Sequence, residues 1–298
     1  PIIFEPPAKF DWRDEKVWHR VNPGLKYGFP DIVGMRQAAE EAKEKPADRE
    51  DFCQYNLNQW LDSASAPFVE MAVYDEGAAP VDLGAIASKP CWLSVDLSSN
   101  TDLAVVLAAW PDDAEGYDVH PFFFCPRANL RERENKSGAP YAQWEREGLI
   151  TATEGNVIDY NAIQATIEDL CSRFNVQEIA FDPYLARMMQ SALLEKGLPV
   201  VDFRQIPSLM MPAISELERA VIARRFRHGG HPVLRFCFAN AEVERNKQQH
   251  AVRFHKSKKW LSIDGAVAAA MAVSRAAAGE SNVSLYANPA VTADMLVW

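Results

Sequence analysis

The sequence predicts an α/β fold, a mixed central sheet with helices packed on its faces, on two observations. First, three short apolar runs, CWLSVD (91–96), LAVVLAAW (103–110) and VHPFFFC (119–125), are separated by the turn-forming SSNTD and PDDAEGYD, the spacing of a meander of neighbouring strands. Second, from residue 160 onward helix-period segments alternate with short strand-like runs, which is how helices covering a sheet read in sequence.

The elements follow in order. Residues 31–45, DIVGMRQAAEEAKEK, read as an exposed helix stopped by Pro46, and DREDFCQYNLNQWL places Phe52, Tyr55 and Gln59 at helical spacing with Asp48 as the cap. Residues 75–90 carry scattered Gly and Pro without periodicity and read as a linker, so a boundary is expected near residue 88. This divides the chain into a mostly helical N-terminal extension (1–88), the sheet domain (89–280) and a tail (281–298). Of the three strand-like runs, 103–110 is also compatible with a helix. Beyond them, Ile163, Ile167, Leu170 and Cys171 mark a helix over 160–174. EIAFD is a buried strand ending at Asp182, a helix over 185–196 closes at Gly197, PVVDF is another strand, and Ile214, Leu217, Val221 and Ile222 mark a helix over 213–226.

At 298 residues, with 48% hydrophobic and 24% charged residues, the composition is that of a folded protein with a real core and excludes collagen-like and wholly disordered classes. The best candidate for a membrane span, Ile263 to Ala278, is interrupted by Asp264 and Arg275, so none is expected. The opening PIIFEPPAKFDW has neither the basic start nor the apolar core of a secretory signal. Five cysteines without a CxxC pair suggest neither a disulfide framework nor a zinc ribbon, and a reducing cytoplasm is the simplest compartment.

The formal charge of −10 hides a reversal: residues 204–259 hold 12 basic against 4 acidic residues and four of the six histidines. A local basic stripe on an acidic protein suits contact with a phosphate backbone, because counterion release depends on local Lys and Arg, and it also suits a merely solvated face.

Three acids follow apolar neighbours at the ends of predicted elements. Asp96 ends a strand, Asp182 ends EIAFD, and Asp264 opens the helical IDGAVAAAMAVSRAA. A carboxylate beside a buried strand costs desolvation energy unless cations or donors compensate it. If the three converge, their oxygens suit a hard divalent cation such as Mg²⁺, and two such ions would support phosphodiester cleavage. The competing reading is structural, with Asp182 capping a helix that has Pro183 in its first turn and Asp264 capping its own. The sequence has no GxxxxGK[ST], GxGxxG or GxSxG motif. His228, His231 and Cys237 lack a fourth zinc ligand, and HGGHP reads as a turn.

Read together, residues 91–278 resemble the nuclease domain of the large terminase subunit of tailed bacteriophages. Four ordered blocks carry the resemblance: CWLSVDLSSNTDLAVV; EIAFDPYLARMMQSALLEKGLPVVDFRQ; SLMMPAISELERAVIARRFRHGGHPVLRFCFANAEVERN; and HKSKKWLSIDGAVAAAMAVSRA. DWRDEKVWHRVNPGL and FCQYNLNQWL are similar to the family's segment between motor and nuclease. The resemblance implies an RNase H-like fold and an endonuclease using two Mg²⁺ or Mn²⁺ ions to cut concatemeric double-stranded DNA. Asp96, Asp182 and Asp264 would be the metal-binding triad, Asp102 an outer ligand, and Arg253, Lys256, Lys258 and Lys259 contacts to the DNA backbone. It further implies the portal protein and small terminase subunit as partners, in the host cytoplasm. A complete large terminase would also carry an ATPase, whose phosphate loop is not in these residues. The rival readings are a non-catalytic module that binds DNA or the portal, and another RNase H-like enzyme such as a resolvase or integrase.

Overall fold

The computed structural model describes residues 4–7, 10–44, 52–53, 55–59, 65–97, 103–246, 248–258 and 260–281. These fall into two compact units divided between residues 64 and 65.

The smaller unit holds α1 (Glu15–Val21), α2 (Ile32–Glu44) and a 3₁₀ turn at Pro23–Tyr27. Asp14 caps α1 by accepting from Lys16 N–H at 2.9 Å. Trp18, Val21, Leu25, Met35, Phe52 and Leu57 form its core, with Trp12 and Trp18 set edge-on to Phe52. The helix expected over 31–45 is present. In the following segment, Phe52, Cys53 and Leu57 are buried whereas Tyr55 is exposed, so the expected Phe52–Tyr55–Gln59 face is not the packed one; Asp48 lies outside the described residues.

The larger unit begins at β1 (Ser65–Pro67) and α3 (Met71–Asp75). Its boundary is therefore 24 residues earlier than expected. Residues 68–88 fold as the short α3 and a run of turns, too little regular structure to show a period, yet Phe68, Val69, Tyr74 and Ile86 are buried in the larger unit's core. The central sheet contains β2 (Pro90–Asp96), β3 (Ala104–Pro111), β4 (Tyr117–Pro126), β5 (Ile150–Thr153), β6 (Asn175–Phe181), β7 (Val200–Asp202) and β8 (Phe226–Arg227). Its order is β5-β4-β3-β2-β6-β7, with β8 pairing with the start of β4. The meander β2–β3–β4 is antiparallel, and β6 and β7 continue it in parallel with β2. This is the mixed sheet that the strand and helix pattern predicts, with the RNase H-like character that the family resemblance implies.

The helices are α4 (Leu130–Ser137), α5 (Tyr141–Arg146), α6 (Tyr160–Arg173), α7 (Pro183–Glu195), α8 (Pro207–Ile222), α9 (Pro232–Ala239) and α10 (Asp264–Ser281). One core joins one face of the sheet to α8, α9 and α10; a second joins the other face to α6 and α7. Every residue of β3 is buried, which explains why its sequence shows no alternation and is compatible with either helix or strand. The expected 213–226 helix starts six residues earlier and contains Pro212. A second sheet, β1 with β9 (Ala241–Arg245) and β10 (Ala251–Lys256), is antiparallel.

The alanine-rich α10 lies directly on the sheet. Ala266, Ala268, Ala269, Ala270 and Ala272 are fully buried, and Ser94 Oγ donates to the Ala268 carbonyl at 2.7 Å. Near its end, a Cβ on Gly279 would stand 2.2 Å from Trp92 Cζ2, so only glycine admits this approach. The Arg275 guanidinium pairs with Glu178 of β6 at 2.6 and 2.7 Å, fixing the helix along the strands. Among the described residues, no helix is long and apolar enough to cross a membrane.

Candidate active site

Because β2 and β6 run parallel, their carboxyl ends meet at one edge of the sheet, where open α/β sheets commonly bind ligands. Val95 and Phe181 are register partners, so Asp96, the last residue of β2, and Asp182, the next residue after β6, emerge side by side. The third acid, Asp264, enters from α10. Ile263 rather than Asp264 takes the cap position, since its carbonyl accepts from Ala266 and Val267 N–H at 2.8 and 3.1 Å. This leaves Asp264 in the first turn, where the helix dipole favours a negative charge. A Cβ on the next residue, Gly265, would come within 2.9 to 3.2 Å of Leu234, Phe123 and Cys237. Its absence lets the acid-bearing turn seat against α9 and β4.

Asp96 and Asp264 line a cavity of about 300 Å³ together with Gln205, Met210, Arg253 and Lys256. Asp182 lines a neighbouring cavity, and Gln205 borders both. Gln205 also ties the carboxylates together: its side-chain amide donates to Asp96 Oδ1 at 2.8 Å and its backbone N–H donates to Asp182 Oδ2 at 3.2 Å. Asp182 Oδ1 meanwhile accepts from Tyr184 N–H at 3.0 Å, with Pro183 opening α7, so the helix-capping role is real.

The electrostatics of Asp96 follow from this crowding. Burial and then the Asp264 carboxylate, with a further push from Asp182, raise its pKa from 3.8 to about 8, against the opposing Gln205 hydrogen bond and the Lys256 charge. Burial and the same Asp264 charge hold the Cys237 thiol protonated beneath the site.

The structure thus brings Asp96 and Asp264 to one cavity and joins Asp182 to Asp96 through Gln205. Among the described residues, no three His, Cys, Asp or Glu side chains stand together as a ready-made metal site. This includes His228, whose Nε2 meets the Tyr74 carbonyl at 2.8 Å, and His231, which caps α9. Of the expected DNA contacts, Arg253 and Lys256 line the first cavity, and Lys258 is exposed with its ammonium 5.7 Å from the Trp260 ring centroid. Asp102 and Lys259 lie outside the described residues. Gln205 is a site residue that the sequence does not single out. The available signal is its place just beyond β7, the third parallel strand to end at this edge.

Comparison with known proteins follows the same lines. Residues 2–280 match the family described as terminase large subunit, endonuclease domain. The large terminase subunit of Enterobacteria phage HK97 is 34% identical over 92% of this chain and 54% of its own length. Protein YmfN of Escherichia coli K12 is 26% identical over 92% of this chain and 62% of its own. The chain therefore spans just over half the length of these relatives. A crystal structure of the HK97 large terminase superposes with a TM-score of 0.69 at 33% identity, covering 91% of this chain and 56% of that one. The chain belongs to the endonuclease-domain family of terminase large subunits.

Proposed function

We propose that this chain is a metal-dependent endonuclease that cuts concatemeric double-stranded phage DNA during packaging, with Asp96, Asp182 and Asp264 holding two Mg²⁺ or Mn²⁺ ions. The observation that carries the reading is geometric: Asp96 of β2 and Asp264 of α10 line one cavity, and Gln205 joins Asp96 to Asp182 at the end of β6. The raised pKa of Asp96, from burial first and the Asp264 charge second, is consistent with a place for a cation. The donor set fits, since it is all oxygen and hard divalent cations take carboxylate oxygens. Such ions, when bound, would activate a water and stabilise the leaving oxygen.

The protein's own residues supply the rest. Gln205 holds Asp96 by Oδ1 and leaves its other oxygen for a ligand. Arg253 and Lys256 border the cavity where the scissile phosphate would sit, and Lys258, exposed two residues further along the chain, and Lys259, next to it in sequence, are proposed as further contacts. These are phosphate contacts and give little sequence preference. Asp102 is retained as an outer ligand. The portal protein and small terminase subunit are the proposed partners, and the host cytoplasm the proposed compartment.

One observation favours a second reading. Both oxygens of Asp182 already accept backbone N–H groups, as a purely structural cap would. The acids would then be architectural and the basic strip would dock DNA or the portal without cutting. Supercoiled plasmid incubated with the chain and Mg²⁺ or Mn²⁺, with EDTA and Asp96→Asn controls, separates the two. Metal-dependent nicking and linearisation lost in the variant supports the nuclease; equal cutting by the wild type and the variant overturns the assignment of Asp96, and DNA binding without cutting under either metal supports the docking module.

A further inference from the structure

We propose that Arg187, Arg204 and Tyr184 form a second DNA-backbone subsite, which holds the strand on the Asp182 side of the cut while Arg253 and Lys256 hold it on the Asp264 side. This deepens the nuclease reading and rests on it.

The cavity of about 440 Å³ beside Asp182 is lined by Tyr184 and Arg187 of α7 and by Arg204, Gln205 and Ile206 of the segment after β7. It shares Gln205 with the first cavity, so the two lie on either side of one residue that binds both Asp96 and Asp182. Both arginines are exposed, and neither forms an ion pair among the described residues. Arg227 and Arg275 of the larger unit are by contrast closed by carboxylates, Asp112 and Asp118 for the first and Glu178 for the second. What distinguishes Arg187 and Arg204 from other exposed arginines such as Arg131 and Arg146 is that both line the cavity holding Asp182. Asp182 lies in the same cavity, yet its oxygens accept from backbone N–H groups rather than from either guanidinium.

A planar guanidinium with several donors matches the non-bridging oxygens of a phosphodiester, and two of them on one cavity suit successive phosphates or a bidentate hold on one. A strand gripped only by Arg253 and Lys256 would pivot about its contacts; gripping it on both sides of the carboxylates restricts it to the orientation in which the phosphate meets them. The Tyr184 ring, 88% exposed, offers no packing to the fold but gives a flat apolar surface for a sugar or an unstacked base. Its backbone is fixed by the bond to Asp182, so a strand resting on Tyr184 is set in register with that carboxylate.

The test is fluorescence anisotropy of a labelled duplex of about 30 base pairs, long enough to span several phosphate contacts, with the full chain in EDTA, titrated with KCl, alongside plasmid cleavage with Mn²⁺ by the same preparations. Arg187→Ala with Arg204→Ala should make the slope of log affinity against log salt shallower by about 1.8, or about 0.9 for each phosphate no longer neutralised. Affinity at low salt should fall about tenfold or more, with the melting temperature unchanged because neither side chain has an ion-pair partner among the described residues. Arg131→Ala with Arg146→Ala removes two exposed charges elsewhere and should leave the slope at the wild-type value. Tyr184→Phe should bind as the wild type does, and Tyr184→Ala should lose about fivefold on single-stranded DNA.

If the wild type cuts and the Arg187/Arg204 variant keeps the wild-type slope, the subsite is overturned and the nuclease reading stands. An equal loss in the Arg131/Arg146 variant also overturns it, by reducing the effect to net charge. If the double variant loses the slope but the wild type never cuts, the subsite stands and the nuclease reading falls. A wild-type chain that does not bind DNA overturns both.

Discussion

The two ends of the central sheet treat acidic residues in opposite ways. At the β3–β4 turn, Arg227 reaches Asp118 and Asp112, both at 2.6 Å. Burial alone would raise the Asp112 carboxyl, but the Gly116 N–H and the Arg227 guanidinium outweigh it and hold the group below the usual carboxylate range. At the other end, Asp96 and Asp182 accept from a neutral amide, Gln205, Asp264 lines the same cavity as Asp96, and burial with the Asp264 charge raises the pKa of Asp96 to about 8 in spite of Lys256. One sheet therefore carries a closed ionic cluster and an open one. The closed cluster is held by a guanidinium, whereas at the open one burial and a neighbouring acid favour the protonated form of Asp96, a preference that a bound cation would oppose.

Removing an acid from the open end is the most direct way to break this contrast. Asp96→Asn should lower cleavage by about 10³-fold or more, the scale of losing a group that acts on transition-state charge. It should also stabilise the cation-free protein at alkaline pH. The sign follows from linkage. The folded pKa of Asp96 is raised above its ordinary 3.8, so folding favours the protonated form; stability is greatest below about pH 4 in respect of this group and is lost as pH rises toward about 8. Thermal melting in EDTA from about pH 4 to about pH 9 should show that decline in the wild type and a flatter profile in Asp96→Asn. Identical profiles would remove the electrostatic argument for the site.

Next in size is the amide between the acids. Gln205→Ala should weaken Mn²⁺ binding by about 10- to 100-fold in calorimetry, as loss of a group orienting a ligand does. Gln205→Arg should instead convert the open end into a copy of the closed one. With a guanidinium beside Asp96 and Asp182, the cation-free protein should melt higher while Mn²⁺ binding is lost. A variant that melts higher and still binds Mn²⁺ normally would show that the site's openness is not what recruits the cation.

How much of this is written in the sequence depends on whether a residue's role is local. Asp96, Asp182 and Asp264 are legible because each interrupts an apolar run, and burying a carboxylate there demands an explanation. Gln205 is not legible in that way. It follows a three-residue strand, carries no periodic signal, and matters only because β7 ends beside β6 and β2. The boundary expected near residue 88 falls elsewhere for a related reason. Residues 65–88 lack periodicity, but β1 pairs with β9, a partner far along the chain, and Tyr74 stacks on His228 at 3.9 Å. Such long-range packing leaves no mark in a local window. The ambiguity over 103–110 comes from complete burial on both faces, which erases the alternation that distinguishes strand from helix.

The smallest effects separate cations that hold the fold from cations that hold DNA. Arg227→Gln leaves Asp112 and Asp118 half-buried without their guanidinium, and should cost about 1–2 kcal/mol, or roughly 3–6 °C in melting temperature, while DNA affinity is unchanged. Lys258→Ala should do the reverse. The ammonium is exposed and rests near Trp260, a contact worth about 0.5 kcal/mol at such a site, so melting should move by a degree or two. Its loss should nevertheless flatten the salt dependence of DNA binding by about 0.9 and weaken affinity a few-fold across all sequences. Each variant has one positive charge fewer, so net charge cannot account for a difference between them. If Lys258→Ala and Arg227→Gln weakened DNA binding equally, binding would be a response to overall charge and the distinction between the two ends of the sheet would fail. If only Lys258→Ala did so, the cations would divide into those that hold the fold and those that hold DNA.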